Sequence, residues 1–113
     1  MINGTFYRHY NNNKEYFFDS IALPVSEFRG KKGELESMGT ALDSRTPKGE
    51  PVQELNLFYY KGVKFIESKK PMVIYQSEED YDTDKSWARE VDEFFGYVEK
   101  DRKLVKRFVK IGK

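Results

Sequence analysis

Apolar and polar residues alternate in short runs along most of this chain, and each run is closed by a turn signal. The stretch GTFYRHY at residues 4–10 is rich in strand-forming Thr, Phe and Tyr. In a strand it places Phe6, Arg8 and Tyr10 on one face and Tyr7 and His9 on the other. Asn11, Asn12 and Asn13 follow, and asparagine tolerates the positive φ of a tight turn. EYFFDSIAL at residues 15–23 is the return strand, and Pro24, which cannot donate to a ladder, ends or bends it. A second hairpin is predicted from the aromatic run 55–60, the turn signal Lys61-Gly62 and the alternating run 63–67.

The stretch around which the chain is organised runs over residues 71–98. It opens with a strand at 72–77, in which Val73, Tyr75 and Ser77 share a face. An acidic loop at 78–85 leads to the only tryptophan, Trp87, in a short strand or turn. Residues 89–95 suit one or two helical turns, and 95–99 read as extended. Asp101, Arg102 and Lys103 form a turn, and 104–111 is read as the last strand, an edge guarded by lysines. Residues 25–51 carry glycines, prolines and charges, which predicts a loop with a helical turn at 26–28 and a short strand at 37–42. Seven or eight short strands with so little helix predict a mainly β fold. The expected form is a small SH3-like barrel or rolled antiparallel sheet with one or two short helices, in a single domain over 1–113.

Composition narrows the function classes. The chain has 113 residues, of which 16% are aromatic and 35% charged. Large rings let a small chain build a core from few residues. The net charge of +1 gives no overall attraction to nucleic acid, but the charge is unevenly spread. Residues 78–93 hold eight acids and two bases, and residues 100–113 hold seven bases and one acid. The two segments either neutralise one another or are solvated; a basic tail for a polyanion is the sharper alternative. With no cysteine there is no disulfide, thiol nucleophile or thiolate metal site, and a cytoplasmic protein is the simpler expectation. No apolar run is long enough to span a membrane, and Met1-Ile2-Asn3-Gly4 lacks the features of a signal peptide.

Several blocks together point to a family. Tyr7-Arg8-His9-Tyr10 is followed by a polar turn, Tyr16 and Ala22. Val73-Ile74-Tyr75 ends an apolar strand, Trp87-Ala88-Arg89 leads to Phe94 and Phe95, and Arg107-Phe108 lies in the last strand. In this order the blocks resemble domain of unknown function family 1653, small β-rich bacterial and phage proteins. The resemblance covers both ends of the chain. It implies that residues 25–70, with their extra hairpin, are an insertion. Leu23-Pro24-Val25 stands where the family has a His-Ser-Glu-Thr-like turn. The resemblance implies a fold rather than a chemical activity.

Candidate chemistry rests on few residues. His9 is the only histidine, so a multi-histidine metal site is excluded and a general base would need a partner and a pocket. Arg8 and Arg89 each adjoin aromatic residues, and a guanidinium both stacks on rings and grips phosphate or carboxylate through paired N–H bonds. If their strands were neighbours, Tyr7, Arg8, His9, Tyr10, Tyr75, Trp87 and Arg89 would form one anion or nucleotide site. The structural alternative is that the arginines pair with carboxylates such as Asp92 or Glu93. The acidic run resembles a calcium loop but lacks its central Gly and final Glu. The run Phe58, Tyr59, Tyr60 is either core or an exposed stacking row. No phosphate loop, nucleophile elbow or HExxH motif is present.

The sequence therefore predicts a non-enzymatic binding module for a small anionic or nucleotide ligand, with no cofactor and no metal. The alternatives are a protein-interaction module using the inserted hairpin, or a nucleic-acid-binding barrel using Lys106, Arg107 and Lys110.

Overall fold

The computed structural model describes residues 5–47, 49–81 and 83–112. The Met1-Ile2-Asn3-Gly4 segment, Asp82 of the acidic run and Lys113 of the basic tail lie outside them. The described residues form ten strands: β1 (Thr5–His9), β2 (Glu15–Pro24), β3 (Glu36–Asp43), β4 (Glu54–Tyr60), β5 (Val63–Ile66), β6 (Met72–Ser77), β7 (Trp87–Glu90), β8 (Tyr97–Lys100), β9 (Lys103–Lys106) and β10 (Phe108–Ile111). The one α-helix among the described residues, α1, is a single turn at Val91–Phe94, and three single 3-10 turns complete the set.

Both predicted hairpins form. Asn13 sits at φ 57° in the β1–β2 turn, and Lys61 and Gly62 sit at φ 46° and 85° between β4 and β5. The order β2-β5-β4-β3-β7-β6 closes on itself because β6 also pairs with β2, giving a six-stranded barrel. Most pairings are antiparallel, but β2–β5 and β3–β7 are parallel. β2 is ten residues long and serves three neighbours. Its first half pairs with β1 and its last three residues with β5 on one edge, while β6 runs along the other. β10 adds to the outer edge of β1, and β8 and β9 form a separate two-stranded ribbon.

The described residues between 25 and 51 hold more regular structure than their composition suggests. They supply β3, an eight-residue stave of the barrel, and residues 25–70 as a whole supply three of the six staves. β3 is interrupted where its register to β4 shifts between Ser37 and Thr40, and Gly39 takes the positive φ of 89° that this bulge requires.

The predicted single strand 104–111 is two strands in two sheets. Arg107 is the crossing point: its N–H donates to the Gly96 carbonyl and its own carbonyl accepts from the Tyr10 N–H. The backbone is thereby held by the ribbon on one side and by β1 on the other, so the strand cannot run straight through.

A second bulge decides where the two cores lie. β2 pairs Phe18 with Tyr75 and Ser20 with Ile74, which leaves Asp19 as the extra residue. Inserting one residue reverses the alternation of side chains. Before the bulge, Tyr16 and Phe18 point out of the barrel; after it, Ala22 points in. The inner core is Ala22, Ala41, Leu57, Ile66, Met72, Ile74 and Ala88. The outer core is Val73, Tyr75, Phe94 and Phe108, with Tyr7, Tyr16, Phe18, Trp87, Val91 and Phe95 packed on it. β6 divides its residues between the two, Met72 and Ile74 inward and Val73 and Tyr75 outward, which is why four successive residues are buried. Among the described residues no helix is long and apolar enough to cross a membrane.

Candidate ligand cleft

Alternation in β7 fixes the centre of the site. Ala88 faces the inner core, so Trp87 and Arg89 face outward on the side of Tyr75. Register does the rest: β6 and β7 place Tyr75 opposite Trp87, and β2 and β6 place Tyr16 opposite Ser77. The parallel β3–β7 pairing brings Ser44 in, where its N–H and its hydroxyl both donate to the Ala88 carbonyl. These residues, with Lys14, Glu79, Asp80 and Lys85 on the rim, line a cleft of about 340 Å³.

Among the described residues, three cations (Lys14, Lys85, Arg89) and two carboxylates (Glu79, Asp80) line it. Lys14 is paired with Glu79 at 2.8 Å, and this hydrogen-bonded carboxylate raises the lysine pKa. Asp80 accepts from the Ser77 hydroxyl at 2.8 Å. Lys85 stands over the Trp87 ring, 5.3 Å from its centroid, a cation–π contact. At the floor, burial raises the Tyr75 phenol pKa, although the Arg89 charge and hydrogen bonding from Arg89 and Ser44 oppose the rise. The phenol is therefore a neutral donor near pH 7.

Among the described residues Arg89 has one carboxylate ion-pair partner, Glu93, with Nη1 and Oε2 3.8 Å apart. That distance is an ion pair but not a hydrogen bond. Arg89 Nε and Glu93 Oε1 are both buried without a protein hydrogen-bond partner. The side chain is only 15% exposed, so its charge acts where water screens it less than at the open surface.

The seven residues singled out from sequence divide. Tyr75, Trp87 and Arg89 line the cleft. Tyr7 belongs to the outer core, its ring 5.2 Å from that of Phe94. His9 packs edge-on to Phe108 at 5.0 Å, and its Nδ1 accepts from the Asn11 N–H. Its pKa is lowered to about 4 by burial first and then by the charges of Arg89 and Arg107. Arg8 lies between Tyr7 and His9 in β1, so alternation turns it to the opposite face, where it pairs with Glu15 at 3.7 Å. It lines a separate hollow with His9, Tyr10, Asn13, Val109 and Ile111. The expected joint site of Arg8 and Arg89 is thus divided by the sheet itself. Of the three C-terminal cations, Lys106 and Lys110 are exposed, while Arg107 is half-buried with Nε donating to the Glu93 carbonyl.

Tyr16, Ser44, Ser77, Lys14 and Lys85 were not among the expected site residues. Tyr16 and Ser77 carried a signal, since each lies on the cleft-facing parity of its strand. Ser44 reaches the cleft only through a parallel pairing between strands more than forty residues apart, and nothing local announces it.

Neither the curated proteins nor the solved structures give a match. The model of the family described as Protein of unknown function (DUF1653) matches residues 59–110, which run from the end of β4 into β10 and include Tyr75, Trp87 and Arg89.

Proposed function

We propose that this chain is a non-enzymatic, cytoplasmic binding module whose cleft takes a small anionic ligand, a nucleotide being the best fit in size and chemistry. The carrying observation is Arg89, a guanidinium in the floor of the cleft: among the described residues its one carboxylate ion-pair partner, Glu93, stands at 3.8 Å, beyond hydrogen bonding. A phosphate or carboxylate oxygen there would accept charge-assisted bonds from the fork and one from the Tyr75 hydroxyl. Trp87 and Tyr16 offer ring surface for a flat group. Glu79 and Asp80 on the rim disfavour highly charged ligands, so a mono- or diphosphate suits the cleft better than a polyanion.

The test is calorimetric titration of nucleoside mono- and diphosphates into the protein and its Arg89→Ala variant. A bound phosphate lost with the guanidinium supports the reading, and the absence of heat with every nucleotide removes it.

A second reading is favoured by the β8–β9 ribbon, which carries Lys100, Lys103 and Lys106 beside Tyr97 and Leu104, exposed to 64% and 74%. A nucleic-acid contact there would weaken steeply with salt. It would fall when Lys100, Lys103 and Lys106 are replaced together.

A further inference from the structure

On the other face of the same strands lies an aromatic hollow that the cleft does not use. Phe6 of β1 pairs with Phe17 of β2, and Phe17 pairs with Gln76 of β6, so the three side chains form one row across the sheet. Tyr75 and Ser77 flank Gln76 in β6 and face the cleft, so this row faces away from it. Tyr81, just past the acidic 3-10 turn Glu78–Asp80, packs on the row. Its ring is 6.2 Å from Phe6 and 6.4 Å from Phe17, with planes at 65° and 79°; Phe6 and Phe17 are 5.5 Å apart at 56°. Three steeply inclined rings and the Gln76 amide enclose about 290 Å³.

Tyr81 is put there by a hydrogen-bonded loop. The Gln76 Nε2 amide donates toward the carbonyls of Asp80, Thr83 and Lys85 at 3.3, 3.0 and 2.9 Å. The Thr83 hydroxyl adds a bond to the Asp80 carbonyl at 2.9 Å. The Tyr81 hydroxyl itself is buried without a protein hydrogen-bond partner, so ring packing rather than a hydrogen bond seats the side chain.

The acidic turn adjoins the hollow through Glu78, since Glu79 and Asp80 line the cleft on the other face, Glu79 paired with Lys14 and Asp80 bonded to Ser77. Glu15 stands beside Phe17, ion-paired with Arg8 at 3.7 Å. Burial raises the Tyr81 phenol pKa, and the carboxylates of Glu15 and Glu78 raise it further. Aromatic faces are electron-rich, and a cation within about 6 Å of a ring centroid is attracted to it. With these ring separations a single point above the three rings lies within that range of all of them. A phosphate would be repelled by the carboxylates, and a compact ammonium such as lysine could keep its water instead.

We propose that Phe6, Phe17 and Tyr81 form a binding site for a methylated ammonium group, the trimethylammonium head of a choline-like small molecule. Its methyl groups suit the apolar walls, its diffuse charge suits the rings, and Glu78 of the acidic turn supplies the counter-charge.

The test compares choline with 3,3-dimethylbutan-1-ol, the same shape without the charge, by titration followed by NMR. Choline should bind at least about fivefold more tightly than the neutral alcohol, the size of a partly desolvated cation–π contribution. Tyr81→Phe should bind choline as the parent does, Tyr81→Ala at least about fivefold more weakly, and Arg89→Ala should leave choline affinity unchanged. No choline binding, equal affinity for the two compounds, or full binding by Tyr81→Ala would overturn the site. The two-compound comparison in the parent protein stands even if Tyr81→Ala does not fold.

Discussion

Phe94 lies almost flat on Phe108, with ring centroids 4.2 Å apart and planes 11° from parallel. Both rings are fully buried, and each also meets Tyr75. This stack joins α1 to β10 and supports the floor of the cleft from beneath. Phe94→Ala should therefore destabilise the protein by about 3–5 kcal/mol, as for other fully buried phenylalanines. Chemical denaturation followed by tryptophan fluorescence measures it. A loss under about 1 kcal/mol would mean that the outer core is not cooperative with the barrel.

Asp19 separates the two cores by its place in the chain rather than by its side chain. Asp19→Ala removes an ion pair with Lys64 at a part-exposed site, which should cost only about 0.2–1 kcal/mol. Deleting Asp19 is different in kind, because it reverses the facing of either Tyr16 and Phe18 or Ala22 and so exposes one core. The deletion should abolish the cooperative thermal transition that the substitution retains. A folded deletion variant would show that the bulge can migrate.

His9 makes a pH prediction. Its ordinary pKa of 6.5 falls to about 4 in the fold, through burial and then through Arg89 and Arg107. Below pH 6.5 the unfolded chain binds a proton that the folded chain refuses, so the stability from neutral His9 is complete above 6.5 and is lost as pH falls toward 4. The stability difference between the protein and His9→Gln should therefore shrink over that window. Equal slopes for the two proteins between pH 6.5 and 4 would show that His9 titrates normally.

The fold was legible where turn chemistry and alternation are local. Asn11-Asn12-Asn13 and Lys61-Gly62 announce their hairpins, and the strand expected at 72–77 is β6. What was hidden depends on distant partners. The bulge at Asp19 exists only relative to the register of β6, and the break at Arg107 exists because Gly96 holds its N–H while Tyr10 holds its carbonyl. The same division holds in the site. Trp87 and Arg89 stand two apart on one face of β7, which a sequence reveals. That Arg8 turns away follows from Tyr7 packing on the outer core and His9 on Phe108, which was not evident from a strand with aromatic residues on both faces.

The most direct measurement of the central claim, an Arg89-anchored anion cleft, is nucleotide affinity by calorimetry for the parent, Arg89→Lys and Arg89→Ala. Losing a hydrogen-bonded charge contact should weaken binding by about tenfold or more in Arg89→Ala. Arg89→Lys, which keeps the charge but not the fork, should fall between the two. Measurable nucleotide binding with the same affinity in all three proteins, or none in the parent, would contradict the account.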